Sequence, residues 1–164
     1  PKNFEIFKET LSTNNLADLA DKFLIASGRL QSLCYKADIE AALRTPRMAG
    51  FQLLDLHDFP GQGTALIGIL DAFWDEKGYI SPESFRHFCN TTVPLARFSK
   101  RVFMNSEVIS IGAEVAHFGE RILEEIVSTW RVNDGAGATI FEGKFEPQNI
   151  PIDNEVKLGK LIWI

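Results

Sequence analysis

Residues 50–63 read GFQLLDLHDFPGQG, an apolar run that ends in a crowded polar turn. The run is interrupted by only two polar residues before His57 and Asp58 follow it without a gap. A continuous apolar run bounded by turn residues is typical of a strand that is buried on both faces, as in a parallel sheet. The stretch therefore predicts a buried strand over 50–56 whose polar end, including Asp55, presents side chains at the edge of a sheet.

Helical spacing precedes and follows this predicted strand. Before it, apolar residues recur at helical spacing over 16–43, with N-cap candidates at 12–14 and a stop at 45–46, where proline disfavours a helical residue before it. After it, residues 64–73 resume helical spacing, and residues 82–89 predict a short helix that begins with proline. Helix, strand, polar turn and helix in this order are typical of an α/β unit.

The second half of the chain has a period of two, which is typical of half-buried antiparallel strands. The turn sequence NDGAG at 133–137 separates two of the predicted strands. Several short strands separated by turns are typical of an immunoglobulin-like β-sandwich. The strands are predicted over 109–117, 124–132, 139–145 and 155–164.

The change of period predicts two domains, an α/β part over residues 1–97 and a β-sandwich over residues 98–164. One strand between helices cannot form a parallel sheet, and the predicted strands are fewer than the roughly seven of an immunoglobulin-like sandwich. The final residues, LGKLIWI, form an apolar strand whose edge further chain would have to cover. We therefore interpret the sequence as a segment of a larger polypeptide, with both domains incomplete.

The composition disfavours several classes of protein. With 45% hydrophobic and 24% charged residues among 164, the chain is typical of a globular protein. A net charge of −5 and a pI of about 5.2 argue against a nucleic-acid partner. We expect no membrane span and no signal peptide in this segment. Cys34 and Cys89 belong to no CxxC pair, so each is predicted to be a small core residue rather than a nucleophile or metal ligand.

The polar residues after the strand are the candidate site, and they support few reactions on their own. Asp55 and Asp58 lie on neighbouring backbone, so they cannot easily flank a glycosidic bond from opposite sides. A metal site at His57 lacks a third ligand at a recognisable spacing, and the turn around Gln62 has no lysine after it, so it is no phosphate loop. Taken alone, the stretch favours a structural interpretation in which Asp58 caps the turn and His57 is an ordinary hydrogen-bonded residue.

Aromatic residues offer a second candidate. Phe73 and Trp74 follow the second predicted helix, and an aromatic face suits the apolar face of a pyranose, so the pair could form a sugar-stacking platform. The alternative, which the sequence alone favours, is that they cover the junction between the two domains. Trp130 and Trp163 lie within predicted strands and are predicted to be core residues.

Residues 44–89, RTPRMAGFQLLDLHDFPGQGTALIGILDAFWDEKGYISPESFRHFC, resemble the end of the catalytic barrel in glycoside hydrolase family 2-like proteins. In β-mannosidases and β-galactosidases of that family, the last barrel strand often runs from a glycine through apolar residues to a polar tip of the type W-Q-L-N-D. Here L-D-L-H-D occupies that place: Leu54 stands where tryptophan is common, Asp55 and His57 replace the amides, and Asp58 matches. The alternating strands of the second half resemble the immunoglobulin-like domain that follows the barrel.

This resemblance implies the last strand and helices of a (β/α)₈ TIM barrel followed by a truncated immunoglobulin-like sandwich. It implies a retaining hydrolase, β-galactosidase- or β-mannosidase-like, that cleaves a polysaccharide or glycan. Barrel sites lie at the carboxyl ends of the strands, so Asp55, His57, Asp58 and Gln62 would bind substrate hydroxyls. In the family the catalytic glutamates come from the fourth and seventh strands, which would precede Pro1, so no catalytic residue is assigned here.

The resemblance also implies the partners and the setting of the protein. The partners would be a carbohydrate substrate and the rest of the parent polypeptide, with no nucleic acid, no membrane span, no metal and no cofactor. The segment alone would not be active, and the parent would be periplasmic or extracellular. The alternative is a non-catalytic carbohydrate-binding or structural module, because the segment holds no catalytic pair. An inactive hydrolase-like scaffold would share the same fold.

Overall fold

The computed structural model describes residues 2–59, 61 and 66–163. A helical N-terminal part is followed by a β-rich region with antiparallel sheets. Backbone contacts divide the chain into two compact units, Pro1–Ile39 with Gly50–Arg86 and Glu40–Ala49 with His87–Ile164. The strands that the structure describes all lie in the second unit, and they close no barrel.

The first helix, α1, covers Lys2–Thr13. It ends where the Leu16 amide donates to the Leu11 carbonyl at 2.8 Å and Asn15 adopts a left-handed backbone, with φ at 55°. Asparagine tolerates this conformation better than most residues, which suits it to a helix end. The N-cap prediction for residues 12–14 is therefore wrong, because these polar residues close α1 instead of opening the next helix.

A 3₁₀ turn at Ala17–Leu19 leads into α2, which covers Ala20–Arg44. The helix ends at Arg44, just before Thr45 and Pro46, as the proline predicted. Gly28 lies inside α2, although glycine weakens a helix. A Cβ at that position would overlap the ring of Tyr79, so the glycine permits a close approach of the ring to the helix.

The short helix predicted at 82–89 is present as α3, which covers Pro82–Arg86. The Ser81 hydroxyl accepts the Ser84 amide at 3.2 Å, which is an N-cap hydrogen bond. Among the described residues, no helix combines the length and the apolar character that crossing a membrane requires.

The strand predicted over 50–56 is absent. The described chain there is irregular, and its ladder contact is an isolated parallel bridge between His57 and Leu70. A strand persists only where its amides and carbonyls meet a partner strand, and no strand of the described chain pairs with this stretch. The prediction rested on apolar character, which does not supply that partner.

The helix predicted over 64–73 is also wrong for its described part. Residues 64 and 65 lie outside the described residues, and residues 66–73 contain a bend, a bridge and a turn instead of a helix. Leu70 bridges to both His57 and Glu76, and this extended pairing excludes a helix at the same position.

Strand β2, Ile109–His117, is the centre of a three-stranded antiparallel sheet, as its alternation predicted. It pairs with β1, Thr92–Phe98, on one side and with β7, Asp153–Trp163, on the other. The prediction missed β1, which contains Pro94. Proline is tolerated in a sheet at an edge strand, and β1 is an edge strand of this one.

Strand β7 contains a bulge opposite the middle of β2. Ala113 pairs with Gly159 and Glu114 pairs with Lys157, so one extra residue of β7 lies between the two pairs. Gly159 has φ at 156°, and the ring of Phe145 lies where its Cβ would be. Glycine is required there by both the backbone and the ring.

The single strand predicted over 124–132 is wrong, because the chain breaks into two strands at residues 127 and 128. One part pairs with a short strand that the sequence did not indicate, and the other pairs across the predicted NDGAG turn. In that turn, the Asp134 carboxylate accepts the amides of Ala136 and Ala138 at 2.9 and 2.8 Å. The strands are β3 (Leu123–Ile126), β4 (Thr129–Asn133), β5 (Thr139–Lys144) and β6 (Gln148–Ile150).

The second unit, which holds strands β1 to β7 and is called the β unit below, contains a cavity of about 530 Å³ lined mainly by apolar side chains. Trp130 and Trp163, predicted as core residues, both line this cavity and are half-buried. Trp163 meets Phe141 edge to face at a centroid distance of 5.2 Å. Each tryptophan therefore packs on the interior side of its strand without being fully buried.

The two cysteines have different surroundings. Cys34 is exposed on α2, so its prediction as a core residue is wrong. Cys89 is half-buried, and burial raises the pKa of its thiol.

An ion pair links the neighbouring strands β1 and β2. Arg97 Nε lies 2.6 Å from Glu114 Oε1, and Arg97 Nη2 lies 2.9 Å from Oε2. The Glu114 side chain is only 6% exposed, whereas that of Arg97 is 47% exposed. The hydrogen bond with Glu114 raises the pKa of the Arg97 guanidinium. The fork geometry is the strong, bidentate form of the arginine–carboxylate interaction.

We expect Arg97→Ala to lower the free energy of unfolding by about 1–3 kcal/mol, because it leaves the buried Glu114 carboxylate unpaired. Urea denaturation of the chain measures this. Arg131→Ala is the matched control, since Arg131 and Glu142 are 3.6 Å apart on exposed side chains and such a pair contributes about 0–1 kcal/mol. Equal losses in the two variants would contradict the expectation.

A second prediction concerns the buried His117. Its Nε2–H donates to the Arg121 carbonyl at 2.8 Å and its Nδ1 accepts the Thr92 hydroxyl at 2.7 Å, so the ring cannot move aside. A Cβ on Gly119 would lie 2.6 Å from this ring. We therefore expect Gly119→Ala to cost about 1–3 kcal/mol in thermal denaturation.

The matched control for that substitution is Gly135→Ala, because a Cβ there has open space around it. A Gly119→Ala variant as stable as the Gly135→Ala variant would show that the His117 ring yields.

Candidate functional site

The candidate site of the first unit is built on the buried carboxylate of Asp58, which is 4% exposed. Its Oδ1 accepts the Gly68 amide at 2.9 Å and lies 2.5 Å from Lys77 Nζ. Lys77 also donates to the Gly68 carbonyl at 2.9 Å. The Asp58 carboxylate, the Gly68 backbone and the Lys77 ammonium thus each contact the other two. These contacts hold the chain at residues 57–58 next to residue 68.

His57 precedes Asp58 in the chain and is half-buried. Its Nδ1 lies 2.6 Å from the Asp58 carbonyl oxygen. Because a carbonyl can only accept, Nδ1 carries the hydrogen, and in the neutral ring Nε2 is then an acceptor. No described residue donates a hydrogen bond to Nε2, so this nitrogen can accept one from a ligand.

Two residues of the site have a left-handed backbone, Asp55 with φ at 59° and Trp74 with φ at 71°. Aspartate adopts this conformation readily, whereas a bulky aromatic residue there is uncommon. Such conformations persist only where the surroundings enforce them, and they concentrate at functional sites. The Trp74 ring lies against His57, with centroids 4.4 Å apart and planes tilted by 40°.

The structure places Asp55, His57 and Asp58 on one irregular stretch of the chain. Gln62 lies outside the described residues. Lys77 was missed because its partner Asp58 is 19 residues away, and no local pattern reports such a pair. The contact of Trp74 with His57 was missed for the same reason.

The described residues hold no group of three or more histidine, cysteine, aspartate or glutamate side chains placed to bind a metal ion. Asp55 and His57 supply a carboxylate and an imidazole that can form hydrogen bonds, and the Trp74 ring lies against His57.

A comparison with protein families finds one model that matches residues 107–163, described as a domain of unknown function (DUF8488). The match covers the chain from β2 to β7. No curated protein sequence matches the chain. The similarity therefore concerns the β unit and assigns no activity to either unit.

The Asp58 group generates a local prediction. Lys77→Met leaves the buried Asp58 carboxylate without its cation, so we expect the segment around Gly68 to open more often. Hydrogen exchange of the Gly68 amide should accelerate by about tenfold or more. The control is Lys22→Met on the exposed surface of α2, which should leave Gly68 unchanged. Unaltered exchange in the Lys77 variant would mean that the ammonium does not stabilise this group.

Proposed function

We propose that this chain is part of a retaining glycoside hydrolase of the β-galactosidase or β-mannosidase type. Residues 1–97 would be the end of its (β/α)₈ barrel and residues 98–164 part of the immunoglobulin-like domain after it. The resemblance of residues 44–89 supports the first assignment, and the antiparallel strands β2 to β7 support the second. In such a barrel, neighbouring strands would supply the partner that residues 50–56 lack.

The observation that carries the proposal is the Nε2 acceptor of His57, to which no described residue donates, two residues after Asp55 and next to Asp58, which is paired with Lys77. Sugar hydroxyls are hydrogen-bond donors that fit such acceptors. Asp55 and His57 would orient the sugar without covalent chemistry, because fixed orientation alone lowers the barrier substantially. Asp58 would support them, and Gln62 stays in the proposal as a further substrate contact.

The covalent steps would belong to a pair of carboxylates from other barrel strands. One would attack the anomeric carbon and the other would protonate the leaving oxygen, and this mechanism needs no cofactor. The proposal places the parent protein in the periplasm or outside the cell, with a glycan substrate and the rest of its own chain as partners.

We expect His57→Asn to lower kcat/KM by about tenfold or more on an aryl glycoside, measured on the native polypeptide that contains this chain. Asparagine retains a donor near the position of Nδ1 but removes the acceptor Nε2. Asp58→Ala should impair turnover as well, because it removes the contacts with Gly68 and Lys77 that hold the chain beside His57. His87→Ala, an exposed histidine of the second unit, is the control. Unchanged kinetics in both site variants would remove His57 and Asp58 from the site.

The alternative is a non-catalytic carbohydrate-binding or structural module. The two candidates differ in the mass that they predict for the native polypeptide. An antibody against this segment should detect a polypeptide several times heavier than 18.4 kDa if the hydrolase proposal is right, since a barrel alone needs about 250 residues. A native product near 18.4 kDa that binds glycans without cleaving them would establish the module instead.

A further inference from the structure

The loop at residues 71–75, sequence DAFWD, is held by its first residue. The Asp71 carboxylate accepts the amides of Phe73 and Asp75 at 2.8 and 2.9 Å. The Asp71 backbone donates to the Asp75 carbonyl at 2.9 Å and accepts the Trp74 amide at 3.1 Å. Four hydrogen bonds on one residue thus define the loop, and side chain and backbone act together in the manner of an Asx-turn.

This loop displays its aromatic residues. Phe73 is 83% exposed and Trp74 is 59% exposed, although burying such rings would be favourable. The Trp74 ring contacts His57, and the loop sets Trp74 in the left-handed backbone conformation described above. A hydrogen-bonded loop that leaves more than half of the Trp74 surface exposed beside an imidazole acceptor suits a ligand that needs both an aromatic surface and an acceptor.

We propose that Trp74 and His57 form a pyranose-binding subsite, with the loop 71–75 as its platform. The apolar face of the sugar ring would stack on Trp74, and one of its hydroxyls would donate to His57 Nε2. Asp71 is then a positioning residue, because it acts through the loop and touches no sugar. The inference rests on the proposed function and adds the aromatic group that would contact the sugar in the same site.

The chemistry of the pair favours a sugar over a protein partner. A pyranose combines a patch of C–H groups with hydroxyls at its edge, which matches an indole face bordered by an acceptor. A protein that docked on this loop would be expected to cover Phe73 too, because that ring is the more exposed of the two. Phe73 makes no ring contact with His57, so it distinguishes the two kinds of partner.

The test is calorimetric binding of methyl thio-β-galactoside and methyl thio-β-mannoside to the native polypeptide that contains this chain. Glycosidases cleave such sulfur-linked glycosides poorly, so binding is measured without turnover. Trp74→Ala should weaken the affinity by about tenfold or more for the sugar that binds. Phe73→Ala, the matched control in the same loop, should change it by less than about twofold.

Substitutions of Asp71 test the role of the loop in thioglycoside binding separately. Asp71→Ala should weaken binding to a similar degree as Trp74→Ala, whereas Asp71→Asn should restore most of it, because the amide oxygen can still accept the loop amides. Thermal denaturation of both Asp71 variants separates loss of the loop from loss of the fold.

Several outcomes would overturn the subsite. Wild-type affinity in Trp74→Ala would exclude stacking, and an absence of thioglycoside binding would exclude a sugar ligand. Equal losses of thioglycoside affinity in the Phe73 and Trp74 variants would show that the sugar is bound by the exposed aromatic loop as a whole and not by the pair of Trp74 and His57. Aryl glycoside cleavage that depends on His57 but not on Trp74 would leave the hydrolase proposal standing without the subsite. Trp74-dependent binding without any cleavage would leave the subsite standing without the hydrolase.

Discussion

Backbone amides that leave water must find hydrogen-bond partners, and this constraint decides which apolar stretches of the chain become strands. β2 has a partner on each side, β1 and β7, and its last four residues are buried. Residues 50–56 are at least as apolar, yet the described chain offers them no partner strand, and they remain irregular. The antiparallel ladder is therefore what organises the β unit, and side-chain burial follows from it.

Within each unit, a buried carboxylate is matched by one cation. Glu114 of β2 pairs with Arg97 of β1, and Asp58 pairs with Lys77 in the candidate site. Because a buried carboxylate without a partner is costly, each pair fixes the register of the segments that carry it. In the first unit, that order is transmitted to His57, whose ring tautomer is set by the Asp58 carbonyl.

Features that depend on local sequence were predictable. The alternation of β2, the turn at 133–137 and the start of α3 follow from neighbouring residues and appear where expected. The strand with Pro94 and the break at residues 127–128 depend on which strands lie alongside. In the site, the sequence indicated His57 and Asp58, but their partners Trp74 and Lys77 come from later in the chain, and only the folded backbone brings these pairs together.

The contrast between the two thiols has a practical consequence. The raised pKa of Cys89 keeps even less of it as thiolate at neutral pH than an ordinary cysteine, and its half-burial hinders access. Cys34 lies exposed on α2. A maleimide reagent at pH 7 therefore reacts preferentially with Cys34. A fluorophore or spin label attached there reports on the first unit without any engineered cysteine.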